Sequence, residues 1–184
     1  MTSVSLQTNS NDLKPIIKWA GGKNKIFDHF KILYKSANHK RYIDLFSGSL
    51  SLPLLLQPNN AIFNDINYWL INLYQVIKDN LPELKIKLKK LNNVKYNSRE
   101  EFNIIREKYN NLKHQDEFTE SKKIEMAAIF IYLNKRSFNG LYRENQDGNY
   151  NVPYRQYKYS IYNPNELDEL SKYFNKNKIK FKSK

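Results

Sequence analysis

Apolar residues recur at helical spacing at Ile26, Phe27, Phe30, Leu33 and Tyr34, which predicts a helix over residues 23–34. A short apolar run then crosses 41–46 and stops at Gly48 and Ser49, the pattern of a buried strand entering a turn. A helix follows over 50–56, ended by Pro58, and then a second strand over 61–64. The helical period resumes at Tyr68 and runs to about Lys90, interrupted at Pro82. Strand, glycine turn, helix and strand, in that order, open a doubly wound α/β sheet.

From about residue 81 to 138 the pattern is helical and charged. Helices are expected over 98–112, with Ser98 and Glu101 as a capping box, and over 121–136, with Ser121 as the cap. Residues 139–165, dense in Asn, Gly, Tyr, Arg and Pro, read as an ordered loop or hairpin. A helix over 165–174 and a strand over 178–182 complete the pattern. The chain thus divides into a polar leader (1–13), an α/β core (14–80), a helical insertion (81–165) and a return to the core (166–184).

Composition narrows the function. The 184 residues contain no cysteine and three histidines, which excludes a disulfide scaffold and a thiolate nucleophile and argues against a metal site. The longest apolar runs, 52–56 and 126–133, fall far short of the ~20 residues of a membrane span. The polar start has no apolar core of a secretory signal, so an intracellular protein is expected, with no membrane partner. A formal charge of +13 points to a polyanionic partner, most simply nucleic acid. The 25 Lys against 6 Arg equally fit the coding bias of an AT-rich genome.

The five glycines fall in three clusters. Lys18-Trp19-Ala20-Gly21-Gly22-Lys23 precedes a helix, where backbone N–H groups and a flanking Lys attract anions and Trp19 offers a flat wall. The alternative is a plain turn with a core tryptophan. Tyr42-Ile43-Asp44-Leu45-Phe46-Ser47-Gly48 is a strand entering a Gly/Ser turn, the place where α/β sheets bind nucleotides. Asp65 follows Gly48 by 17 residues at the carboxyl end of the second strand, where an acid accepts from ribose hydroxyls or serves as a helix cap. The third cluster, Phe138-Asn139-Gly140-Leu141-Tyr142-Arg143 with Asn151-Val152-Pro153, mixes Arg, Asn and rings in a loop. Such a loop either reads base edges or merely closes turns.

Taken together and in this order, with Asn64-Asp65-Ile66-Asn67 between the last two, these segments resemble the Dam-type adenine-specific DNA methyltransferases over residues 14–165. The resemblance implies a partial Rossmann-like core that binds S-adenosylmethionine and a helical target-recognition insertion that binds duplex DNA. It implies cofactor contacts from Trp19, Lys23, Asp44, Gly48 and Asp65, with Lys23 near the methionyl carboxylate. It implies DNA contacts from Lys18, Phe138, Asn139, Leu141, Arg143 and Pro153, with Phe138 intruding into the duplex. The implied location is the cytoplasm or nucleoid, of cellular or viral origin. Leu50 stands where the family carries a second glycine in the cofactor turn.

The family's Asp-Pro-Pro-Tyr segment, which accepts hydrogen bonds from the adenine amine and stacks on the flipped base, has no counterpart. The sequence contains neither an Asp-Pro nor a Pro-Pro dipeptide, so the catalytic residues are unknown. The expectation is an N-terminal portion of an N6-adenine methyltransferase, lacking the C-terminal strands of the sheet and inactive alone. The alternatives are a non-catalytic DNA-binding module, or one half of a split enzyme whose second polypeptide carries the catalytic strand.

Overall fold

The computed structural model describes residues 13–21 and 27–184. Strands β1 (Tyr42–Asp44), β2 (Asn60–Asn64) and β3 (Lys178–Lys182) form one parallel sheet in that order. The register aligns Tyr42, Ala61 and Ile179, then Ile43, Ile62 and Lys180, then Asp44, Phe63 and Phe181. Helix α1 (Phe27–Ser36) precedes β1, and α2 (Ser51–Leu56) crosses from β1 to β2. The connection from β2 to β3 holds α3 (Tyr68–Asp79), α4 (Leu81–Leu91), α5 (Arg99–Lys113), α6 (Glu120–Arg136) and α7 (Pro164–Lys176). The expected helical insertion is therefore part of one long crossover.

Alternation along the strands sends Ala61, Phe63, Ile179 and Phe181 to the buried face of the sheet. There Tyr74 of α3 and Phe174 of α7 meet Phe181, with ring centroids 5.8 and 5.0 Å apart. Helix α6 is buried on almost every side because α3, α4 and α5 all pack around it. One continuous apolar cluster runs from Leu13 to Phe181, so the helices and the sheet share a core. No described helix is long and apolar enough to cross a membrane.

Two expectations are corrected. The run 41–46 is not a buried strand: Ile43, Leu45 and Phe46 are exposed. The strand is an edge, and on the sheet face opposite α3 and α7 Ile43, Lys178, Lys180 and Lys182 are exposed. The cap of α6 is Thr119, whose hydroxyl accepts from the Lys122 N–H, and Ser121 lies inside the first turn. The expected interruption of the helical period 68–90 at Pro82 is present as two helices meeting at Asn80, because Pro82 starts α4 at the position where its missing N–H costs least. The expected cap of α5 is as read, with Ser98 Oγ accepting from Glu101 N–H.

Leu50 adopts φ 60° and ψ 21°, the left-handed conformation that a glycine would reach without strain. Its side chain is wholly buried in the core, away from the turn. Strain at such a position is about 1–2 kcal/mol, whereas truncating a buried Leu costs about 2.7–5 kcal/mol. Leu50→Gly is therefore expected to lower stability by about 2 kcal/mol net, read as a lower urea midpoint despite the relieved backbone.

Candidate functional site

The sheet's carboxyl edge carries a cavity of about 220 Å³, lined by Trp19, Asp44, Phe46, Gly48 and Asp65 among others. Its position follows from the fold: β1 ends at Asp44, β2 ends just before Asp65, and the Gly48 turn lies between them. Of the five residues the resemblance assigns to the cofactor, Trp19, Asp44, Gly48 and Asp65 converge here, and Lys23 lies outside the described residues. Phe46, at 79% exposure, and the turn serines Ser47, Ser49 and Ser51 also line the cavity. Sequence reasoning passed over them because serine in a turn and an aromatic after a strand carry no distinctive spacing.

The turn is held from three sides. Gly48 N–H donates to Asp65 Oδ2 at 3.0 Å, and its carbonyl accepts from Tyr74 Oη at 3.0 Å. Burial, with the Asp65 carboxylate close by, pushes the Tyr74 hydroxyl well above its ordinary pKa, so it stays a donor. On the third side lies Trp19: a Cβ built on Gly48 would sit 2.8 Å from Trp19 Cδ1. The other Asp65 oxygen, Oδ1, accepts from Asn67 N–H at 3.0 Å. Asp65 thus ties the two strand ends together. The cap of α3 is its neighbour Asn67, which accepts from Leu70 N–H.

The second group of residues sits on the segment after α6. Phe138 N–H donates to the Pro153 carbonyl at 2.9 Å, and Asn151 N–H to the Arg143 carbonyl at 3.1 Å, closing a hairpin. Helix α5 supports it: Asn110 bonds both the N–H and the carbonyl of Tyr150, and Lys113 pairs with Glu144 and the Gly148 carbonyl. Phe138, Asn139, Leu141, Arg143 and Pro153 are all exposed on this hairpin. Asn139 takes φ 55°, a left-handed value that Asn tolerates. Arg143 Nε donates to Asn151 Oδ1 at 2.8 Å, which fixes the direction of its guanidinium.

Lys18 joins this surface, and the joint is Asn134. Its Oδ1 accepts from Lys18 N–H at 2.9 Å, while its Nδ2 donates to the carbonyls of Lys18 and Gly140, each at 2.8 Å. The next residue, Trp19, stacks on Tyr142 with centroids 5.2 Å apart and 27° between planes. One short segment therefore touches both the cavity and the hairpin. Gly140 shows how tight the joint is, since a Cβ there would lie 2.8 Å from Lys18 Cδ and 2.9 Å from its Cβ. At φ +65° an alanine is also strained. Gly140→Ala is expected to destabilise the chain by about 2 kcal/mol, measured by thermal denaturation.

The comparisons with known proteins supply a family. A family model described as D12 class N6 adenine-specific DNA methyltransferase matches residues 19–184. The chain belongs to that family. It is 35% identical over 179 residues to the type II methyltransferase M1.LlaDCHI of Lactococcus lactis subsp. cremoris, covering 97% of this chain and 61% of that protein. It is 36% identical over 173 residues to the type II methyltransferase M.MjaIII of Methanocaldococcus jannaschii, covering 86% of this chain and 56% of the relative. With the DNA adenine methylase of Escherichia coli (strain K12) it shares 32% identity over 154 residues, 84% of this chain and 52% of that one. The chain spans little more than half the length of these curated relatives. As a D12 family chain, it carries the matched region across both the cavity and the hairpin.

Proposed function

We propose that this chain binds S-adenosylmethionine in the cavity and duplex DNA on the hairpin, and serves methyl transfer to the N6 amine of adenine. The observation that carries this reading is the convergence of Trp19, Asp44, Gly48 and Asp65 on one cavity, one residue away from Lys18 on the hairpin surface. The cavity lies outside the carboxyl ends of parallel strands, where open α/β sheets take nucleotides, which also supports a Rossmann-like core. The donor set fits the cofactor. Both Asp65 oxygens retain a lone pair for ribose hydroxyls, the Trp19 ring offers a flat wall, and Gly48 lets that ring close on the turn, since a Cβ would stand 2.8 Å from Trp19 Cδ1.

Bound S-adenosylmethionine supplies an electrophilic methyl group on a sulfonium. The chain's own part is to orient that group and to present the DNA. Phe138 and Leu141 expose apolar side chains suited to unstacking a base step and contacting a thymine methyl, and Arg143 is suited to guanine. The roles of Lys18, Asn139 and Pro153 follow from their places beside them.

The acceptor for the adenine amine comes, on this reading, from a further segment carrying Asp-Pro-Pro-Tyr, in the same polypeptide or a second one. Two observations support it. Exposed Ile43 on β1, Leu45 and Phe46 just after it, and Ile32 and Leu33 on α1 offer apolar surface for such a segment. The curated relatives are also far longer than the matched region. The test is transfer of tritiated methyl groups to adenine-containing duplex DNA. The 184-residue chain alone is expected to give background counts, and addition of a polypeptide carrying the missing segment is expected to give turnover. Turnover by the purified chain alone contradicts the need for that segment.

A further inference from the structure

Arg136, the last residue of α6, is 4% exposed, and among the described residues it is a cation without an anion. None of the ion pairs among the described residues includes it, and its Nε has no partner there. Burying a guanidinium in this way is costly unless the charge does something specific. Its Nη1 donates to two carbonyls, those of Tyr157 at 3.1 Å and Tyr159 at 2.9 Å. Its own carbonyl accepts from Arg155 N–H at 2.8 Å.

The segment so held has little else to hold it. Among the described residues, 156–160 form no backbone–backbone hydrogen bond outside helices and strands. Besides Arg136, only Asn97 Nδ2, also on the Tyr157 carbonyl at 3.0 Å, anchors its main chain by a hydrogen bond from another element. Yet the side chains it carries are the ones that extend the hairpin surface. The Arg155 guanidinium lies 5.4 Å from the centroid of Phe138 and 5.8 Å from that of Tyr157, and Lys18 Nζ lies 6.0 Å from the same Tyr157 ring. A run of cation and ring thus connects Lys18, Tyr157, Arg155 and Phe138.

We propose that Arg136 is a positioning residue for duplex binding: it commits its charge to the Tyr157 and Tyr159 carbonyls and thereby holds Arg155 and Tyr157 beside Phe138 and Lys18. The proposal rests on the DNA-binding reading above and adds a part to it. A guanidinium turned inward onto carbonyls makes no phosphate contact itself, so its effect on DNA passes through Arg155.

A double-mutant cycle on the full chain tests this, using fluorescence anisotropy with a labelled adenine-containing duplex at several salt concentrations. Arg155→Ala is expected to flatten the salt slope by about one. Arg136→Met is expected to do the same and to weaken binding about tenfold, the loss of one charge-assisted contact. The double variant is expected to be little worse than either single one. Arg136→Lys, whose ammonium reaches the same carbonyls, is expected to recover most of the affinity, and Arg136→Gln, which lacks the charge, replaces the Met variant in the cycle if that variant does not fold. The affinity for S-adenosylmethionine is expected to be unchanged throughout. Additive losses in the cycle, or a parallel loss of cofactor affinity, overturn the role. Absence of duplex binding by the unsubstituted chain removes both this role and the reading beneath it, whereas retained binding with additive losses removes this role alone.

Discussion

Gly48→Ala is expected to weaken S-adenosylmethionine binding about a hundredfold while leaving the fold in place. The new methyl group would stand 2.8 Å from Trp19 Cδ1, inside any real carbon–carbon contact, so the indole must shift. It cannot shift freely, because Tyr142 stacks on it at 5.2 Å and Phe130 at 6.2 Å. The turn cannot move away either, since its N–H and carbonyl are bonded to Asp65 and Tyr74. Overpacking of this kind costs about 1–3 kcal/mol, and the left-handed φ of +50° adds about 1–2 kcal/mol for a residue with a Cβ. Clash and strain are present without the cofactor, so the variant is expected to lose about 2 kcal/mol of stability while still folding, and the displaced indole, which walls the cavity, is what lowers the affinity. Titration calorimetry with S-adenosylmethionine, beside a circular dichroism spectrum, checks both halves of the expectation.

Asp65→Ala is expected to be the more damaging change, because it acts on stability and on binding together. Both carboxylate oxygens accept from main-chain amides, those of Gly48 and Asn67. Removing the carboxylate leaves two donors without an acceptor at a buried position, at about 1.5–3 kcal/mol for each bond to a charged group. A loss of about 3–5 kcal/mol in the urea-derived stability is expected. Cofactor binding should disappear with it. Asp65→Asn retains one acceptor and separates the effects, so its stability should fall by about half as much, while the affinity still drops for want of the second oxygen.

Much of this layout was legible in the sequence because the informative residues are those with unusual backbone needs. Gly48 and Gly140 stand at positive φ where a side chain would collide with Trp19 and Lys18, and a chain with five glycines had little reason to place them elsewhere. The strands at 42–44 and 178–182 and the helix begun by Ser98 were visible from period and cap alone. What stayed hidden was tertiary. Nothing in the run 41–46 tells whether a helix will cover it, so its exposed face was missed. Asn134, Tyr142 and Arg136 sit in or beside a helical pattern as ordinary residues. Their importance comes from partners 116 residues away for Asn134 and from Trp19 and Tyr157 for the other two. The left-handed Leu50 shows the converse case, in which burial of a large side chain outweighs the backbone preference.

The account stands or falls on whether the cavity between the ends of β1 and β2 holds S-adenosylmethionine. Calorimetric titration of the full chain with that compound measures it directly. The expected result is saturable one-to-one binding, weakened by Gly48→Ala and abolished by Asp65→Ala. No heat of binding from a folded chain, or equal affinity in all three proteins, would contradict it.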